Sequence, residues 1–227
     1  PLDKEASNRC TTVYLVDRRT DMLPKVLTEH LCSLVANQDR LAFSVIWEIN
    51  PQNGDILNTK YTKSVICSKK AYSYQDAQEL IDNPSNKEPL TEGLRRLLKI
   101  SKIFKAKRIQ EGSLQLASTQ VKFKMNEEMN PTDVTFYDLR ETNSMVEEFM
   151  LLANVTVASK INESYPSSSI LRRHTAPKPE MIKQFSKALQ ELGYSLDYTC
   201  SKSLADSLDR ITRSNDSFFN TMVRIIT

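Results

Sequence analysis

Residues 139–161, LRETNSMVEEFMLLANVTVASKI, constrain this chain more than any other stretch. Ser144 and Glu147 stand at capping-box spacing and the residues after them are apolar on nearly every face, which predicts a helix. A helix without a solvent face belongs in the middle of a domain, so the rest of the chain must build a shell around it. Asn143, Glu147 and Asn154 interrupt the apolarity and fall on one stripe. Buried polar groups must find partners. Two readings fit: the stripe caps neighbouring backbone, or it faces a ligand channel.

The shell reads as strands early and helices late. Residues 11–16, TTVYLV, form a β-branched and aromatic run with Tyr14 at its centre, where pattern alone suggests a packed strand aromatic. Residues 41–49 and 56–66 are two further strands around the turn-rich Asn50-Pro-Gln-Asn-Gly54. A short helix is expected over 75–81 and a long one over 90–111, with Thr91 as N-cap and Gly112 as stop. Leu94, Leu97, Leu98, Ser101 and Phe104 make the inner stripe of the long helix. Strands over 118–125 and 134–137 lead into the central helix, and helices over 180–192 and 201–210 follow it. The class is therefore α+β: a mixed or antiparallel sheet flanked by helices around a buried central helix. No repeat or interdomain linker divides the 227 residues, and both ends look cut within a larger unit.

A net charge of +3 is too weak to establish a polyanion partner, so clustering has to carry any such argument. Two clusters occur. Lys69 and Lys70 are followed by Tyr72 and Tyr74, cations beside rings as a nucleic acid requires, or an ordinary solvated surface. Arg95, Lys99 and Lys102 recur along one helix face, either for solubility or to dock a partner.

Several chemistries find no support. The glycines, at 54, 93, 112 and 193, form no phosphate-cradling loop, which excludes P-loop and dinucleotide chemistry. Acidic residues are scattered rather than gathered for metal ions. His30 and His174 lack a nucleophile signature around them, and His174 reads as structural or phosphate-facing. Cys10, Cys32, Cys67 and Cys200 are too far apart for a zinc site and read as buried free thiols of a reducing compartment. The sequons at Asn154 and Asn162 then read as chance matches, and no apolar run is long enough to span a membrane.

The blocks TTVYLVDRRTDMLP, LCSL followed by DRLAFSVIWE, KSVICSKKAYSY, LRETNSMVEEFMLLAN, LRRHTAP and KSLADSLDR occur in this order across essentially the whole chain. Together they closely resemble the RNB domain of the RNase II family, nearest to the RNase II-like catalytic subunit of the eukaryotic exosome. The resemblance implies a processive, hydrolytic 3′→5′ exoribonuclease that uses magnesium and releases nucleoside 5′-monophosphates. Single-stranded RNA and other exosome subunits are the implied partners, the nucleus and cytoplasm the implied locations, and no membrane is involved. Tyr14 takes the place of a Tyr that stacks on RNA near its 3′ end, and Tyr74 that of a Tyr that helps set RNA preference near the scissile end. Glu147 takes the place of a Glu that contacts RNA at the active centre, and Asn143 shares its stripe. Leu116 stands where bacterial relatives carry a clamping Phe. The family's Asp-rich metal motif should precede Pro1 and its Arg-bearing block should follow Thr227. The expectation is thus an internal piece of one RNB domain, inactive alone, with RNA-channel residues but no catalytic residue or metal ligand, magnesium being bound outside it. The alternative is a non-catalytic RNA-binding or assembly module on the same scaffold.

Overall fold

The computed structural model describes residues 1–15, 18–114, 121–126, 131–136, 139–172, 175–212, 219–220 and 223. The chain runs α1 (Leu2–Arg9), β1 (Val13–Tyr14), β2 (Arg19–Thr20), a π-helical turn (Val26–Leu31), β3 (Asp39–Ile49), β4 (Ile56–Cys67), α2 (Tyr74–Asp82) and α3 (Pro89–Gln110). It continues with β5 (Val121–Met125), β6 (Pro131–Phe136), α4 (Glu141–Ser164), α5 (Pro179–Glu191) and α6 (Ser201–Ile211). Among the described residues each strand pairs with its sequence neighbour, giving three two-stranded antiparallel sheets in an α+β chain. Leu116 and His174, and most of the apolar C-terminal run, lie outside the described residues.

Two compact units divide the chain: residues 1–96 with 120–144, and residues 97–119 with 145–227. In the first, β3 and β4 form a long ladder from Asp39↔Cys67 to Glu48↔Asn58, with a bulge at Ile49. Its turn is built as the residue types demand. The Gly54 N–H donates to the Asn50 carbonyl at 2.8 Å with Gly54 at φ 71°, and the Asn50 side chain accepts from the Gln52 N–H at 3.0 Å. Ser73 caps α2 in a reciprocal box with Asp76. At the other end of α2, the Arg95 guanidinium gathers the carbonyls of Leu80, Ile81, Asn83 and Asn86 at 2.5–3.3 Å. Arg95 is therefore a clamp on a helix C-terminus, and not part of an open basic stripe with Lys99 and Lys102.

The second unit closes on an apolar core. Leu189, Leu196, Leu208, Ile211 and Val223 are buried together, with Leu114, Phe185, Tyr194, Leu204 and Phe219 packed against them. Phe104 and Phe149 meet edge to face at 5.9 Å. Gly112 ends α3 at φ +93°, and a Cβ there would lie 2.8 Å from Lys202 Cβ, so this stop also permits a close approach of α6.

Several expectations change. Helix α4 begins at Glu141, and its start is tied by the Arg140 N–H donating to the Asn143 side chain at 3.0 Å, which leaves Ser144 inside the helix. The start one turn earlier also gives Thr142 its partners in α2. The helix is not buried all round: Thr142, Met145 and Glu148 are buried, whereas Met150, Val155 and Ile161 are exposed. An apolar surface admits neighbours on every side, but the described residues supply them along one edge. Thr91 is the third residue of α3, buried rather than capping, because Pro89 is suited to the first helical position. Leu97 is exposed while Leu98 and Ser101 are buried. All four cysteines are free and exposed, since each sits at an element end: Cys10 and Cys32 follow helical segments, Cys67 ends β4 and Cys200 caps α6.

Candidate nucleic-acid interface

Tyr14 lies on β1 opposite Arg19 of β2 and is 77% exposed. A packed aromatic is ruled out by that exposure, and the ring is open for stacking. Arg19 beside it is held by Asp21, with Nε 2.7 Å from Oδ1, and by Glu29 at 3.6 Å. The hydrogen bond to Asp21 raises the Arg19 pKa above its ordinary value, so a permanent cation stands next to the ring. Exposed Lys70 sits over the half-buried Tyr72 ring at 5.1 Å, a second pairing of cation and aromatic.

Tyr74 is the first residue of α2 and is partly exposed. Its carbonyl accepts from the Thr142 hydroxyl at 2.9 Å, while the Thr142 N–H donates to Gln78 Oε1 at 3.1 Å. These two bonds bring Tyr74 to the first turn of α4, where Asn143 follows Thr142. Of the two readings of the polar stripe, the Asn143 side-chain oxygen takes the capping one, as acceptor of the Arg140 N–H.

Glu147 and Asn154 are both exposed, so the stripe is open rather than buried. The buried acid is the next residue: Glu148 is 3% exposed and Glu147 62%. Glu148 is paired from two sides by Arg108 of α3, whose Nε donates to Oε2 at 3.2 Å and Nη2 to Oε1 at 2.5 Å. Ser113 Oγ accepts from Nη1 at 2.6 Å. The hydrogen bonds with Glu148 outweigh partial burial and raise the Arg108 pKa above its ordinary value. Sequence reasoning passed over Arg108 and Glu148. A signal existed: Arg108 lies seven residues beyond the buried Ser101, on the inner face of α3.

Tyr14, Tyr74 and Asn143 belong to the first unit and Glu147 to the second. The second unit also holds a cavity of about 550 Å³ lined by residues such as Met181, Phe185, Leu189, Leu204 and Val223. It is apolar and contains none of the four predicted residues. Among the described residues no group of three or more His, Cys, Asp or Glu converges as a metal site. No helix among them is long and apolar enough to cross a membrane.

Comparison with known proteins gives one consistent result. The family model described as RNB domain matches residues 1–227. The exosome complex exonuclease dis3 of Schizosaccharomyces pombe is 50% identical over 228 residues, covering 100% of this chain and 23% of the relative. The exosome complex exonuclease RRP44 homolog A of Arabidopsis thaliana is 48% identical over 227 residues, covering 100% and 24%. Among solved structures, Mycoplasma genitalium RNase R in complex with ribose methylated single-stranded RNA superposes with a TM-score of 0.87 at 22% identity, covering 100% of this chain and 36% of that one. This chain spans about a quarter of the length of the curated relatives it matches.

Proposed function

The chain belongs to the RNB domain family, and from that premise we propose that it is the central part of the catalytic domain of a hydrolytic, processive 3′→5′ exoribonuclease acting on single-stranded RNA. The match of the family model to the whole chain carries this reading, and the relatives named as exosome exonucleases support it. The open Tyr14 ring stacks on a base near the RNA 3′ end. Tyr74 offers a second ring near the scissile end. Glu147, open to solvent, accepts hydrogen bonds from ribose hydroxyls, which separates RNA from DNA.

Nucleases of this kind use a divalent cation to activate water and neutralise the phosphate, and magnesium is the proposed ion. Its ligands are assigned to none of the described residues. Other exosome subunits are the proposed protein partners, and nucleus and cytoplasm the proposed locations.

The test uses a 5′-labelled single-stranded RNA with the full-length protein in magnesium. Shortening from the 3′ end is the expected outcome. A folded protein that binds this RNA and leaves it intact would replace the enzyme by a non-catalytic RNA-binding or assembly module. Stacking is worth about 1–3 kcal/mol per base, so Tyr14→Ala is expected to weaken RNA binding by roughly tenfold. Unchanged binding removes Tyr14 from the interface.

A further inference from the structure

Glu147 is an exposed glutamate on a helix, and such a side chain samples several rotamers unless something holds it. A fixed cation stands beside it. Arg108 Nη2 lies 4.0 Å from Glu147 Oε1. The guanidinium cannot swing, because buried Glu148 takes Nε and Nη2 and Ser113 takes Nη1. Those bonds use three of its five N–H donors, so Nη2 keeps one N–H that Glu148 does not hold.

We propose that Arg108, locked by Glu148 and Ser113, is a positioning residue that orients Glu147 toward the ribose of bound RNA. The inference rests on the RNA-facing role proposed above for Glu147. Two features favour positioning over a direct phosphate contact. The Arg108 charge is already matched by a buried carboxylate, which leaves the group of three with a net negative charge, suited to hydroxyl donors and unsuited to phosphate. The 4.0 Å spacing is within ion-pair range but too long for a hydrogen bond. Arg108 therefore attracts the Glu147 carboxylate without consuming its acceptor sites, and both oxygens remain available to the ligand.

The readout is the ratio of dissociation constants for two single strands of one sequence, one all-ribose and one all-deoxyribose. It is measured on the full-length protein with a chelator present, so that the RNA stays intact. Glu147→Gln is expected to lower the preference for RNA by about tenfold, the scale of one hydrogen bond to a charged group. Arg108→Gln alone strands a buried carboxylate, so the informative variant is the pair Arg108→Gln with Glu148→Gln, which leaves no buried charge unmatched. That pair is expected to lower the RNA preference several-fold with DNA affinity unchanged, and adding Glu147→Gln to it to lower the preference no further. Should the pair fail to fold, as judged by thermal melting, Arg108→Lys decides. It keeps a cation beside Glu148 without the planar fork, and a retained RNA preference in that variant overturns the proposal.

The remaining outcomes separate the RNA-facing role of Glu147 from its positioning by Arg108. If Glu147→Gln leaves the preference intact, the RNA-facing reading of Glu147 falls and the positioning role with it. If Glu147→Gln lowers the preference but the folded pair variant retains it, Glu147 stands and Arg108 does not position it. If the pair weakens RNA and DNA equally, Arg108 acts on phosphate or on packing, and the proposal is wrong.

Discussion

The two units are held together by different forces. In the second, Leu208 has no exposed surface and sits in a closed apolar cluster with Leu189, Ile211 and Val223. In the first, Ala77 is the one buried hydrophobic residue among those described, and the long hairpin leaves Leu41 85% exposed with Phe43 and Val65 open beside it. That unit relies on polar ties: Arg95 on the carbonyls ending α2, Thr142 on Tyr74 and Gln78, and the Ser73–Asp76 box. The open rings Tyr14 and Tyr74 are in this polar-tied unit. A ring left open cannot also be part of a core, so the unit that keeps these aromatics exposed secures its elements by hydrogen bonds instead.

The contrast is broken most directly by equal insults to the two units. Leu208→Ala empties a fully buried site and is expected to cost about 3 kcal/mol in a denaturant titration. Phe43→Ser on the open hairpin face is expected to stay within about 0.5 kcal/mol in the same titration. Equal losses would mean that the first unit has a core of comparable weight. Gly112→Ala is expected to cost less than Leu208→Ala, about 2 kcal/mol by thermal melting, because alanine is strained at φ +93° and its Cβ would press on the backbone of α6 at Lys202. A loss under a few tenths would show that α3 and α6 do not depend on this approach.

The finest probe is Cys200, the exposed thiol of the second unit. The Ser203 backbone N–H and hydroxyl lower its pKa by favouring the thiolate, so the reactive form appears at lower pH than in an unstructured peptide. The pH profile of its alkylation is therefore expected to have a midpoint below that of a peptide thiol, and Ser203→Ala is expected to move it upward. A midpoint unmoved by that variant would mean that the Ser203 hydroxyl does not act on the sulfur, leaving the backbone N–H as the cause.

Much of this was legible in the chain. The β3–β4 hairpin follows from two alternating runs around Asn50-Pro-Gln-Asn-Gly54, and α5 and α6 from their apolar spacing, because local periodicity reports which face is greasy. The ordered sequence blocks carried the family. Cap positions were harder to read. Ser144 and Thr91 have the right chemistry, yet Glu141 and Pro89 begin their helices a turn or less earlier. Arg95 looked like one step of a basic stripe, since its carbonyl partners are 9 to 15 residues away in the chain and leave no periodic trace.

By itself, then, the sequence determined the β3–β4 hairpin and the succession of helices after it, the α+β class, the family and the presence of two adjacent acids on an apolar helix. Only the tertiary structure decided which acid faces in. Neighbouring helical residues are turned by about 100° about the axis, and the apolar flanks of Glu147 and Glu148 do not distinguish them. The choice falls to Arg108, 40 residues away. A carboxylate can be buried only where a cation and hydrogen-bond donors meet it, so Glu148 goes inward and Glu147 is left at the surface, available to a ligand.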